Sequence, residues 1–249
     1  MPSDARALYL DLAKRCVANV IYRDDGAVPG RENEPFLEER RADGRDWPKT
    51  AHTMIGLRRL ENIKFCLESV LAAGIPGDVM ETGAWRGGAA IFMRAVLAAY
   101  GVRDRVVWVA DSFEGLPPPD PAAYPADEGV DLSGFAYLRV SLDEVRENFR
   151  AYGLLDGQVR FVQGWFRETL PRCGIERLAL LRLDGDLYES TWLALENLYP
   201  KVSSGGYVIV DDYGAIEACR RAVEDFRKLH AITAAIAAID WTGIFWQKP

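Results

Sequence analysis

Four carboxylates stand in two pairs, each at the end of an apolar run: Asp184 and Asp186 in "LRLDGDLYEST", and Asp211 and Asp212 in "GGYVIVDDYG". Acids gathered at strand ends repel one another, and a bound cation relieves that repulsion. The donor chemistry limits which cation it can be. The chain has only two histidines, His52 and His230, and its cysteines, Cys16, Cys66, Cys173 and Cys219, show no spacing of the zinc or redox kind, so they read as reduced thiols. A metal here is held by oxygen, which favours magnesium, calcium or manganese. A plainer reading stays open at each position: Asp211 and Asp212 could cap the helix that follows, and Asp184 and Asp186 could be turn residues.

A second group of residues has the chemistry of a nucleoside site. In "ETGAWRGG" the turn residues Glu81, Thr82, Gly83, Arg86, Gly87 and Gly88 follow one apolar strand and open a helix, where backbone can approach a ligand closely. The next strand ends in "ADSFEGLP", with Asp111, Ser112 and Phe113, and an acid at that point can accept both hydroxyls of a ribose. Gly164 and Trp165, after a further strand, could flank an adenine by close approach and stacking, although Trp165 reads equally as a core aromatic. Arg86 could pair with a ligand carboxylate or point to solvent.

Elements that would position these residues are legible in the hydrophobic rhythm. Helical spacing over 4–20 gives way to a long polar stretch and resumes through "TMIGLRRLENIKFCLESVLAAG". From residue 78 onward short apolar strands alternate with helices, the pattern of a parallel sheet covered on both faces, and the tail "IAAIDWTGIFWQKP" reads as an antiparallel hairpin. In such a sheet ligands bind at the carboxyl ends of the strands, where all the residues above fall. Two segments remain outside the alternation. Residues 22–50, rich in charge with Pro and Gly, could form a mobile lid, and the insert "GLPPPDPAAYPADEGVDLSG", 115–134, could form another wall of the pocket.

The motifs "ETGAWRGG", "ADSFEGLPPPD", "LRLDGDLYEST" and "IVDDYG", preceded by "DWPKTAHTMIGLRRLENI", resemble those of the macrocin O-methyltransferase family in matching order over about residues 35–247. The resemblance implies an α/β fold: a class I methyltransferase Rossmann-like sheet of seven strands, mostly parallel with the last antiparallel, over 57–249. Residues 1–56 then form an N-terminal helix and lid segment. It implies methyl transfer from S-adenosylmethionine to a deoxysugar hydroxyl on a natural product, assisted by magnesium. By the same resemblance Asp184, Asp211 and Asp212 ligate the metal, Asp186 is the general base, and Trp47, His52 and Met54 lie near the acceptor or cofactor. Glu81, Thr82, Gly83, Arg86, Gly87, Gly88, Asp111, Ser112, Phe113, Gly164, Trp165 and Asp184 become the cofactor-binding candidates.

Composition narrows the partners. A formal charge of −7 over 249 residues argues against a nucleic-acid footprint, and no apolar run is long enough to span a membrane. The N-terminal sequence lacks a secretory pattern, so a cytoplasmic location is expected, and the resemblance implies a small glycosylated acceptor. The resemblance also implies a homodimer or higher oligomer. Two other classes compete: a glycosyltransferase using D-x-D to hold a metal-bound nucleotide sugar, and a catalytically silent module retaining the cofactor fold.

Overall fold

A computed structural model describes residues 4–27 and 33–249; residues 28–32 of the polar segment lie outside the described residues. The chain runs α1 (Ala5–Val17), α2 (Glu38–Ala42), α3 (Gly56–Ala72), β1 (Asp78–Thr82), α4 (Gly88–Ala99), β2 (Val107–Asp111), α5 (Leu142–Ala151), β3 (Val159–Gln163) and α6 (Phe166–Thr169). It continues with β4 (Leu178–Leu183), α7 (Tyr188–Leu198), β5 (Val202–Val210), α8 (Glu217–Leu229), β6 (Ala237–Ala238) and β7 (Ile244–Gln247). The strands form one seven-stranded sheet in the order β3-β2-β1-β4-β5-β7-β6. β3, β2, β1, β4 and β5 are parallel, while β7 runs antiparallel to β5 and pairs with β6 as a hairpin. The α/β sheet with an antiparallel insertion expected from the sequence is therefore present.

Successive side chains along a strand face opposite ways, and here both faces are covered. Val79 of β1 joins a core shared with α1, α3, α4 and α5, while its neighbour Met80 joins one shared with α7 and α8. α8 buries Ala218, Cys219, Ala222, Val223 and Phe226, a helical stripe laid on the sheet, and each large side chain so buried contributes about 1.5–3 kcal/mol. α4 is buried from Gly88 through Leu97 because α1 and α3 cover its outer side. Leu10, Ala13 and Val17 of α1 belong to that same core, so the N-terminal helix is packed into the fold as a further layer and not appended to it.

The polar stretch between α1 and α3 contains a helix that hydrophobic periodicity does not reveal. α2 is organised around Arg41, which is fully buried: Nε donates to Asp46 (2.7 Å), Nη1 to Asp24 (2.9 Å) and to the carbonyl of Ala18 (2.9 Å), and Nη2 to the carbonyl of Asp24. One guanidinium thus replaces an apolar core for this segment. All four cysteines are free, with Cys66 and Cys219 buried.

Candidate active site

The carboxyl ends of β1, β2, β4 and β5 open into a cavity of about 670 Å³. Its floor is the acid cluster. β4 and β5 pair with Leu183 beside Val210, so the residues after them, Asp184 and Asp211, come out of the sheet side by side. One carboxylate oxygen from each of Asp184, Asp211 and Asp212 lies within 4.8 Å of the others. Neither Asp211 nor Asp212 caps α8, whose N-cap is Ile216; before it the Asp212 carbonyl accepts the Ala215 and Ile216 amides in a turn.

Two arginines relieve part of the repulsion in this cluster. Arg182, from within β4, donates to Glu81 (2.6 Å), Asp184 (2.9 Å) and Asp211. Arg59 of α3 donates to Asp211 and to Asp240 (3.0 Å), and its Nη2 reaches the carbonyl of Gly44 (3.2 Å). Both oxygens of Asp211 are therefore occupied by guanidinium. Asp212 and Asp186 have no such partner: Oδ2 of Asp212 is buried without a hydrogen bond, and the Asp186 side chain makes none. Burial, reinforced by Asp184, pushes the Asp186 carboxyl up to about 7, and burial with Asp186 and Asp184 nearby raises Asp212 well above the usual carboxylate range. Glu81 is pushed up to about 8 by burial, in spite of Arg182. Asp186 also sits at φ 60°, a left-handed conformation that an aspartate tolerates better than most residues.

The β1 and β2 half is built from backbone. Gly83 has φ 83°, and a Cβ there would stand 1.6 Å from the carbonyl oxygen of Asp184, so only glycine lets the two strand ends approach. Asp111 accepts the Ala84 and Trp85 amides on one oxygen (2.6 and 3.3 Å) and the Phe113 amide on the other (2.7 Å), with Ser112 Oγ at 3.4 Å. Burial raises its pKa, opposed by those amides. Glu81 receives the Ala90 amide of α4 (3.0 Å) as well as Arg182.

The segment around Trp47 and the insert border the cavity. Trp47 stacks on Tyr137 at 5.2 Å between centroids, the Tyr137 hydroxyl donates to the carbonyl of Pro48 (2.6 Å), and Trp85 Nε1 donates to the carbonyl of Tyr137 (2.9 Å). The insert contributes Leu116, Pro117, Pro118, Asp120 and Leu132 to the wall. It is pinned by Asp127, whose buried carboxylate caps α7 by accepting the amides of Tyr188 (2.6 Å) and Glu189 (3.0 Å).

Most of the candidates read from the sequence converge on this cavity. Glu81, Gly83, Asp111, Ser112, Trp165, Asp184, Asp186, Asp211, Asp212, Trp47 and Met54 line it. Seven others stand behind the wall. Thr82 Oγ1 donates to the carbonyl of Arg182; Gly87, in a left-handed conformation, starts α4 against Val145; Gly88 packs on the carbonyl of His52. Phe113 turns away to pack edge-on against Phe161, and Gly164 sits at the turn after β3 with its nearest contact at Thr169. Arg86 donates to the carbonyls of Ala51 (2.9 Å) and Pro48, with its guanidinium over Trp85, and so ties the segment before α3 to the glycine turn. His52 points away from the cavity, with Nδ1 2.8 Å from the Tyr152 hydroxyl, and burial and the charge of Arg86 lower its pKa. Residues absent from the sequence reading are Arg59, Arg182 and the pair Arg167–Glu189 (2.6 Å), all of which line the cavity. A charged residue within the apolar run of β4 was the available signal for Arg182.

Comparison with known proteins bears on this arrangement. The family model for macrocin O-methyltransferase matches residues 6–248. The chain is 54% identical to the 8-demethyl-8-(2,3-dimethoxy-alpha-L-rhamnosyl)-tetracenomycin-C 4'-O-methyltransferase of Streptomyces olivaceus, covering 99% of this chain and 95% of that one. It is 52% identical to the demethyldecarbamoylnovobiocin O-methyltransferase of Streptomyces niveus, over 97% and 94% of the two chains. Among solved structures the O-methyltransferase NovP superposes with a TM-score of 0.94 at 52% identity, covering 98% of this chain and 99% of that one.

Proposed function

The chain belongs to the macrocin O-methyltransferase family, and from that premise we propose that it methylates a hydroxyl of a deoxysugar carried by a natural product, using S-adenosylmethionine and a divalent cation. Its being an O-methyltransferase displaces the glycosyltransferase and the catalytically silent module as readings. The observation that carries the proposal is the group Asp184, Asp211 and Asp212, three strand-end carboxylates within 4.8 Å, facing the same cavity as Asp111 and the glycine turn. Hard oxygen donors suit magnesium, and the buried, unpartnered Oδ2 of Asp212 is the atom that a cation would satisfy.

S-adenosylmethionine supplies an electrophilic sulfonium methyl. Asp111, together with the turn from Gly83 to Trp85, would hold its adenosine part, and Trp165 would lie beside the base. A cation on Asp184, Asp211 and Asp212 would supply positive charge that lowers the pKa of an acceptor hydroxyl. Asp186 has the remaining task. Its carboxylate, two residues beyond Asp184, would take the proton of the acceptor hydroxyl as that oxygen accepts the methyl group. Trp47, Met54 and the insert wall then hold the acceptor and exclude water. The acceptor is a small glycosylated molecule.

The test is incubation with S-adenosylmethionine bearing a deuterated methyl group and a panel of deoxysugar-bearing aglycones, followed by mass spectrometry. One labelled methyl should appear on the sugar fragment with magnesium and be lost with chelator. Labelling of the aglycone, or transfer undiminished by chelator, would refute the assignment.

A further inference from the structure

Resting on the metal reading above, we infer that Arg59 and Arg182 are internal counter-ions that hold Asp211 and Asp184 together before any cation arrives, and that the cation then competes with Arg59 for Asp211. Both guanidinium groups are buried, with Arg59 5% and Arg182 1% exposed. Six acids gather here, Glu81, Asp184, Asp186, Asp211, Asp212 and Asp240, and their only cationic contacts among the described residues are these two arginines. The arginines are not spread evenly. They cover both oxygens of Asp211 and one of Asp184, and leave Asp186 and Asp212 bare.

A divalent cation on Asp184, Asp211 and Asp212 must share Asp211 with a guanidinium of the same sign. With both guanidinium groups buried, the repulsion is less diluted by water and less screened by salt than at the surface. Arg59 has somewhere to remain when Asp211 turns to the cation, because Asp240 holds Nε at 3.0 Å and the Gly44 carbonyl accepts from Nη2. Arg182 is likewise kept by Glu81. Each arginine is therefore a positioning residue that preserves the ligand geometry while opposing the ligand's affinity. The sign follows: removing one guanidinium charge should weaken the metal-free protein and tighten the metal.

Calorimetry with magnesium chloride and thermal unfolding in chelator or in magnesium, on the full chain without cofactor, test this with wild type, R59Q, R59K and D212N. R59Q should melt below wild type in chelator, bind magnesium on the order of tenfold more tightly, and gain more melting temperature from magnesium. R59K, which keeps the charge, should stay near wild type in both. Equal or weaker magnesium binding by R59Q overturns the inference. A wild type that takes up no more magnesium than D212N removes the metal reading, and this inference with it. Should R59Q not fold, hydrogen exchange on wild type decides: the Asp184 and Asp211 amides, which donate to the carbonyls of Thr82 and Leu183, should already be protected in chelator. Protection that appears only with magnesium would count against the counter-ions.

Discussion

Asp111 and Asp211 are both acids at the ends of parallel strands in one cavity, yet they are satisfied in opposite ways. Asp111 is surrounded by backbone amides and carries no ion pair among the described residues. Asp211 makes no amide contact through its side chain and has a guanidinium on each oxygen. Amide dipoles leave a carboxylate free to accept further neutral donors, as ribose hydroxyls would be. Charge-for-charge pairing makes a carboxylate an exchange partner for other cations. The two halves of the crevice thus differ by what surrounds similar residues, not by the residues themselves.

The comparison is broken most severely on the β4 and β5 side. Asp211→Ala takes one carboxylate partner from each of two buried guanidinium groups, which Asp240 and Glu81 still hold, a change that costs about 1–3 kcal/mol, whereas Asp212→Asn removes an oxygen that no group among the described residues uses. Both should abolish methyl transfer, but only Asp211→Ala should lower the melting temperature of the metal-free protein. Equal melting temperatures would mean that the arginines do not depend on Asp211. The next effect divides neighbours two residues apart. Asp186→Asn should keep magnesium and cofactor affinity and lower the single-turnover rate by about 10²–10⁴-fold, while Asp184→Asn loses magnesium. Loss of metal from both variants alike would end the assignment of Asp186 as base.

On the β1 and β2 side the expected change is in binding. Asp111→Ala should weaken S-adenosylmethionine affinity by calorimetry and leave magnesium affinity intact. If both fell together, the two halves would not be independent. The smallest effects belong to the lid. Tyr137→Phe removes the hydroxyl donated to Pro48, worth about 1 kcal/mol, and should raise the acceptor KM with little change in kcat. The lid should also respond to acid. Burial alone would raise the Asp24 carboxyl, but the Thr50 amide and Arg41 outweigh it and lower its pKa. Its contribution is therefore full above the ordinary aspartate value near 4 and is lost as pH falls through the depressed one. Lid amides followed by hydrogen exchange from pH 5 to pH 3 should open with a midpoint that Asp24→Asn abolishes.

What could be read from the sequence follows the same division. Strands betray themselves by apolar runs and their ends by glycine and acid, so Gly83, Asp111, Asp184 and Asp211 were visible as strand-end residues. Partners reached through space were not. Arg59 lies on the same helical stripe as Ile63, Cys66 and Val70, a position that periodicity assigns to the core, while Arg58 beside it is exposed. Nothing in "GLRRLENI" tells which arginine turns inward towards an aspartate 152 residues away. His52 and Arg86 sit beside cavity residues in sequence but face away, because orientation within an irregular segment is set by contacts such as Tyr152 and the lid carbonyls. α2 escaped because its core is a guanidinium.

Asp127 gives the insert a seam. Its carboxylate attaches an otherwise irregular segment to the first amides of α7, directly after the loop that bears Asp186. This part of the cavity wall can therefore be exchanged as a cassette: a graft of residues 115–134 should be accepted by the scaffold when it brings an acid at position 127. One that lacks it leaves the start of α7 uncapped and disturbs the catalytic loop. What the insert brings to the cavity wall and what the loop of Asp186 holds are carried by separate segments that meet at a single side chain.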